Sequence, residues 1–269
     1  MDDAAYSNAN WSTFKDATAS YSDLECPKYT FIPDVNFESK LIALGIDTGV
    51  VDGKVLTSNI SGLTSLNIGN SGIANLVGIQ DFVALETLRC NDNQLTTLDI
   101  SKNTALIELF CFNNQLLNLD VSNNIELKIL FCNNNQLNSL DISKCTNLTN
   151  LNCSGNTISS FDVSKNIKLI DLSCTQNQLT TIDISKNVAL TRFSCMHNQF
   201  TTLDISKNIA LVSLGCYGNQ LTNLDVSNNI ALNYISCLEN QLTNLDITKC
   251  INLIGLDCTS NKISNLDVS

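Results

Sequence analysis

From Leu85 onward the apolar positions recur in blocks of 21 residues, with no insertion or deletion. Residues 85–105 read LETLRCNDNQLTTLDISKNTA, and residues 106–126 read LIELFCFNNQLLNLDVSNNIE. Further blocks start at Leu127, Leu148, Leu169, Leu190, Leu211, Leu232 and Leu253, all under the pattern LxxLxCxxNxLxxLD(I/V)SxN. A fixed period near 20 residues predicts a solenoid, each block forming one coil stacked on the last. Leu85, Leu88, Cys90, Leu95, Leu98 and Ile100, with their equivalents, then point into the coil and are buried against the same positions above and below. One coil buries too little apolar surface to offset the entropy of ordering its backbone, so its neighbours and a shared hydrogen-bond ladder are required.

The segment around each cysteine is expected to be a short strand of a parallel sheet. With strands about 4.8 Å apart, ten coils span roughly 45–50 Å. The second half of each block, such as LTTLDIS, is too short for a helix with its connections, and its Thr and Ile content favours an extended or irregular convex side. The Asn column (Asn93, Asn114, Asn135, through Asn261) can bond backbone groups where the chain leaves the strand. Residues 63–84 fit the pattern loosely, with Ile68 at the cysteine position and Ser71 at the asparagine position, and are read as an atypical first coil. Nine coils of 21-residue period follow over 85–269, the last truncated. Ahead of them, residues 31–62 read as a cap. Asp34 can cap a helix starting near Val35, with Phe37, Leu41, Ile42 and Leu44 as its apolar stripe and Gly45 as its end. Residues 1–30 are a lead segment carrying Trp11, Phe14, Tyr21 and Cys26, either flexible or packed on the cap.

The stretch LxxLxCxxNxL matches the leucine-rich-repeat signature with Cys in place of the usual Leu. The full repeat resembles the 21-residue repeats of bacterial surface leucine-rich-repeat proteins, specifically the cysteine-column members of the listerial internalins. The lead-in FIPDVNFESKLIALGIDTGVVDGKVLTSNISGLTSLNIG is similar to the N-terminal cap of secreted leucine-rich-repeat proteins of Bacteroidetes. The resemblance covers residues 31–269. It implies a right-handed stack of coils with a parallel β-sheet on its concave face and a small helical N-terminal cap. It further implies export, cell-surface attachment and a role in adhesion. The scaffold itself serves many unrelated targets.

Twelve cysteines raise the question of disulfides or metal. No CxxC pair of the kind a zinc site needs is present. The nine periodic residues Cys90, Cys111, Cys132, Cys153, Cys174, Cys195, Cys216, Cys237 and Cys258 are expected to pack as small buried hydrophobes, with parallel Cβ directions. Cys145 and Cys250 take the nineteenth repeat position, where Asn103, Asn124, Asn166, Asn187, Asn208 and Asn229 stand in other coils, and each has an Asn two residues later (Asn147, Asn252). This paired change predicts that Cys fills an inward slot while the local polar contact moves. The Asp column (Asp99, Asp120, Asp141, Asp162, Asp183, Asp204, Asp225, Asp246, Asp267) could hold cations, but each Asp is better read as accepting hydrogen bonds at the turn before a Ser or Thr.

A formal charge of −11 disfavours nucleic acid and anionic membranes as partners. No stretch is long and apolar enough for a membrane helix. The sole histidine, His197, has no catalytic constellation around it, and no phosphate loop or dinucleotide fingerprint occurs, so neither an enzyme nor a cofactor is expected. The start MDDAAYSNAN lacks the features of a signal peptide, and the chain stops inside a repeat without a capping unit. More repeats or a sorting domain are therefore expected beyond Ser269.

Function is expected on the positions that vary: the third, fifth, seventh and eighth of each block, on the concave strand face. Two apolar groups emerge there. Phe110, Phe112, Ile129 and Phe131 form one; Met196, His197, Tyr217, Tyr234 and Leu238 form the other. Exposed clusters of this kind mark interaction sites. The sequence thus reads as a monomeric, non-enzymatic module that binds a protein or a surface glycan outside the cell, the alternative being a structural spacer.

Overall fold

The computed structural model describes residues 27–267, so Trp11, Phe14, Tyr21 and Cys26 of the lead lie outside the described residues. The first element, β1 (Tyr29–Phe31), pairs antiparallel with β2 (Lys54–Leu56), a two-stranded ribbon that the sequence pattern did not announce. Between them lies helix α1 (Val35–Ala43). Asp34 caps it as expected: its Oδ1 accepts the backbone N–H groups of Asn36 and Phe37, both at 3.0 Å. Its Oδ2 accepts from Ala74 and Asn75 at 2.8 and 3.0 Å, so the same carboxylate ties the cap to the first coil. The buried face of α1 is narrower than the expected stripe. Phe37 and Leu41 are buried, and Phe37 lies against Phe82 with ring centres 6.1 Å apart. Leu44 is exposed because the chain turns away at Gly45, whose φ of +70° suits glycine. Glu38 is buried as well; its carboxylate accepts from Asp52 (2.7 Å) and Gly53 (2.9 Å) and so holds the loop leading to β2. A single-turn helix, α2 (Thr57–Ile60), follows β2 directly.

The solenoid carries one three-residue strand per coil. These are β3 (Ser65–Asn67), β4 (Thr87–Arg89), β5 (Glu108–Phe110), β6 (Ile129–Phe131), β7 (Asn150–Asn152), β8 (Asp171–Ser173), β9 (Arg192–Ser194), β10 (Ser213–Gly215) and β11 (Tyr234–Ser236). The strand β12 (Asn244–Asp246) comes next in the chain, then β13 (Gly255–Asp257) and β14 (Asn265–Asp267). Strands β3 to β11 and then β13 form one parallel ten-stranded sheet in sequence order, which gives the expected ten coils. Register is fixed by the block length: Leu88 faces Leu109, which faces Leu130, along one column. The convex side consists of turns and bends, except that β12 and β14 pair in parallel at the C-terminal end.

The inward positions close the core without gaps in the pattern. Leu85, Leu88, Cys90 and Leu95 are fully buried, and every periodic cysteine is buried except Cys258, which is half-buried in the last described coil. All of them are free thiols. The Asn column provides the ladder. Asn114 donates from Nδ2 to the carbonyls of Cys90 in the preceding coil (3.0 Å) and Cys111 in its own (3.1 Å), while its Oδ1 accepts from the N–H of Leu95 at 3.0 Å. Asn135 repeats the arrangement on Cys111, Cys132 and Leu116.

The nineteenth position forms a second buried column. Asn187 donates to the carbonyls of Val163 and Asn166 at 3.0 and 2.9 Å. Cys145 keeps the inward slot, its thiol 3.5 Å from the Val121 carbonyl, and the displaced Asn147 bonds at the surface to the Ile125 carbonyl. Cys250 and Asn252 make the corresponding substitution. In the six coils with Asn here, the side-chain Oδ1 is buried without a partner among the described residues. One feature of the surface escaped the sequence reading: at the twentieth position Ile167, Val188, Ile209, Ile230 and Ile251 stand exposed on five successive coils. No helix among the described residues is long and apolar enough to cross a membrane.

Candidate functional site

The variable positions do not all lie on strands. The third and fifth residues of each block flank the buried fourth on the three-residue strand. The eighth residue lies beyond it, in a turn where the backbone is left-handed in coil after coil: Asp92, Asn113, Asn134, Gln176, His197 and Glu239 all have φ between 48° and 55°. Glycine takes the same place at Gly155 and Gly218. His197 is therefore a turn residue, not the strand residue the pattern suggested. Its ring meets Tyr217 edge-on with centres 4.5 Å apart, and it lies so close over Gly218 that a Cβ there would sit 2.5 Å from its Nδ1.

The first apolar group is less available than expected. Phe110 is buried, only 8% exposed. The Arg89 guanidinium covers one side of its ring at 4.0 Å, and Phe131 stands edge-on to it at 5.3 Å. Glu108 holds Arg89 in place at 3.7 Å. Phe112, Ile129 and Phe131 are half-buried around this stack. The group is a packed ridge whose central member is closed off by a charged neighbour at the same position of the adjacent coil.

The second group opens onto a trough of about 480 Å³ on the concave face, spanning strands β7 to β11. Three of its five members, Met196, Tyr217 and Tyr234, line that trough. His197 and Leu238 stand outside the lining. The depth has a cause in the fifth-position column: after Arg89, Phe110 and Phe131 it shrinks to Ser173, Ser194, Gly215 and Ser236. Met196 lies across Gly215, where a Cβ would be 3.2 Å from its sulfur. Tyr234 likewise lies over Gly255, where a Cβ would be 2.7 Å from the ring. The wall toward the N-terminal coils is polar. Arg192 and Asp171 form an ion pair, with Nη2 and Nε 2.7 and 2.8 Å from the same Asp171 Oδ2, and Asn152 stands beside them. Reading the variable positions for aromatics missed Asn152, Asp171 and Arg192. The run of small residues in the fifth column was the signal that could have found them.

The remaining columns are structural in geometry. Asp99 Oδ1 accepts the backbone N–H of Ser101 at 3.0 Å, and the same bond recurs at Asp120, Asp141, Asp162, Asp183, Asp204 and Asp225, with Thr248 as donor to Asp246. These hydrogen bonds, from hydroxyl and backbone of the same Ser, hold the Asp99 carboxyl below its ordinary value. The thiols shift the other way: burial pushes Cys90 and Cys153 up to about 12 and Cys145 up to about 11. A thiol so far from ionisation is a poor nucleophile and a poor metal ligand at neutral pH.

No model of a known protein family matches the chain. A stretch of 74 residues is 39% identical to internalin J of Listeria monocytogenes serotype 4b, covering 28% of this chain and 8% of that protein. Among solved structures, the functional domain of InlJ from Listeria monocytogenes, which includes a cysteine ladder, matches at 31% identity with a TM-score of 0.59, over 91% of this chain and 65% of that one. The internalin InlF of the same species matches at 24% identity with a TM-score of 0.78, over 87% of this chain and 72% of that one. The chain thus spans a small part of the whole internalin J and just under two thirds of the solved InlJ domain. Its 21-residue period, its stacked thiols and these likenesses agree: the chain is a leucine-rich-repeat solenoid similar to the cysteine-ladder internalins.

Proposed function

We propose that the chain is a non-enzymatic binding module of the adhesion type, working outside the cell and taking its ligand on the concave face. The observation that carries this reading is the convergence of Met196, Tyr217 and Tyr234 on one trough. Large amphipathic side chains around a recess are what binding hot spots are made of. The likeness to internalins supports the same reading. So does the chemistry of the surface: His197 lies against Tyr217 and not against a nucleophile, and the thiols are buried in their protonated form. The Phe110 ridge contributes shape to the concave face, while its central ring is unavailable to a ligand.

The test is binding of the labelled chain to epithelial cells, compared with a Tyr217→Ala/Tyr234→Ala variant and a Phe112→Ser control. Loss of at least tenfold in apparent affinity in the double variant, with the control unchanged, supports the reading. Equal binding by all three moves the site off the trough, and no binding by the unaltered chain favours a spacer.

A further inference from the structure

We infer that the trough between β7 and β11 is a subsite for a neutral saccharide; the inference rests on the concave face being the binding surface and names the ligand chemistry of that same site. A pyranose ring has an apolar face of C–H groups and a rim of hydroxyls, each able to donate and accept. A site for it needs an aromatic wall and, within one ring's reach, donors and acceptors side by side.

The trough has both. Tyr217 and Tyr234 line it from adjacent coils, and Tyr234 is 47% exposed. Opposite them the Asp171–Arg192 pair presents both kinds of group. Arg192 bonds one carboxylate oxygen through Nε and Nη2, and among the described residues Asp171 Oδ1 is an open acceptor and Arg192 Nη1 an open donor. Asn152 accepts the Ser154 N–H with its Oδ1, and its amide N–H groups have no partner among the described residues. The floor hydroxyls divide in the same way: Ser173 and Ser194 are paired to neighbours at 2.8 and 2.9 Å, whereas those of Ser213 and Ser236 have no partner among the described residues.

Other ligand chemistries fit this lining less well. A fully apolar side chain would desolvate Asp171, Arg192 and Asn152 without replacing their hydrogen bonds to water. An anionic group would meet Asp171, and a cationic group would meet Arg192. A neutral polyol opposes neither charge and can satisfy both. The volume, about 480 Å³, lies in the roughly 300–1,000 Å³ range of small-ligand sites.

The experiment is saturation-transfer NMR on the intact chain with lactose, cellobiose and N,N′-diacetylchitobiose, followed by titration. Affinity is expected in the weak range around 1 mM. Saturation should pass from the tyrosine rings to the C–H protons of one sugar ring. Tyr234→Ala and Asp171→Ala should each weaken binding at least tenfold, and Phe131→Ser should leave it unchanged. Circular dichroism of each variant confirms the coil stack. If none of the three disaccharides binds while trough-dependent cell binding persists, the saccharide assignment is overturned and the binding module stands, with a peptide ligand in its place. If a disaccharide binds equally to all variants, the trough is not its site. If it binds the trough but cell binding does not depend on Tyr217 and Tyr234, the saccharide assignment stands and the adhesion reading falls.

Discussion

Raising the pH should unfold this protein far more steeply than a chain with few buried thiols, and the structure sets the size of the effect. Eight column thiols, from Cys90 to Cys237, have pKa values raised by burial; the ordinary value is 9.0 and those of Cys90, Cys153 and Cys237 reach about 12. The protonated thiol is thus favoured in the fold. The stability linked to it is fully present below pH 9 and is lost as pH rises from there toward 12. At pH 10 an exposed thiol in the unfolded chain is about ten parts ionised to one, which stabilises the unfolded state by about 1.4 kcal/mol per thiol. Eight such groups amount to roughly 11 kcal/mol, comparable to the entire stability of a typical domain at 5–15 kcal/mol. Lys and Tyr also begin to titrate in this range, so the thiols are isolated by a variant. Urea unfolding followed by circular dichroism is measured at pH 8 and pH 10 for the natural chain and for Cys132→Ala/Cys174→Ala. The double variant loses packing equally at either pH, but its loss of stability between the two pH values should be smaller than the natural chain's by about 3 kcal/mol, two thiols' share. An identical pH dependence in the two chains would show that these thiols are not buried in protonated form, and would refute the packed-column reasoning.

Three further outcomes are expected. Asn135→Ala leaves the Leu116 N–H unpaired inside the stack and takes from the Cys111 carbonyl one of its two amide donors, Asn114 being the other, and should cost about 1–3 kcal/mol in urea unfolding. Asn187→Cys should change stability by less than about 1 kcal/mol, because Cys145 and Cys250 already fill the equivalent slot and the replaced Oδ1 has no partner; a loss as large as that of Asn135→Ala would contradict the assignment. Acidification acts through the Asp column: these carboxyls are lowered in the fold by bonds from the following Ser, so their contribution is present above the ordinary 3.8 and lost as pH falls through the folded values. The urea midpoint should therefore fall on going from pH 5 to pH 2, and less so in an Asp141→Asn/Asp183→Asn variant.

The fold was legible because each structural role recurs at one place in a strict period. Leu88, Cys90 and Asn93 mean little singly, but repeated every 21 residues they can only be columns. The cap helix was readable from Asp34 and Gly45 because capping and left-handed termination are local chemistry. The ribbon of β1 and β2 was not, since three-residue strands separated by a helix carry no periodic signal. The candidate site was half legible. Variable aromatics picked out Met196, Tyr217 and Tyr234, but exposure depends on what the neighbouring coil places alongside, and Arg89 over Phe110 is a relation between coils that one block does not display. The eighth position was misread because polar residues such as Asp, Asn, Gln, His and Glu suit an exposed strand as readily as a turn; the signal for the left-handed backbone was the presence of Gly155, Gly218, Asn113 and Asn134 in the same column. The exposed line from Ile167 to Ile251 escaped because Thr104 and Thr146 interrupt it early and each residue alone looks like an ordinary core aliphatic.

The central claim is that ligand binding occurs in the trough while the cysteine column only supports it. Hydroxyl-radical footprinting of the intact chain, free and bound to the cell surface, tests this directly. Protection is expected at Met196, Tyr217 and Tyr234, with the exposed Ile209 and Ile230 of the twentieth-position line reacting equally in both states. Protection of that line with an unchanged trough would contradict the account.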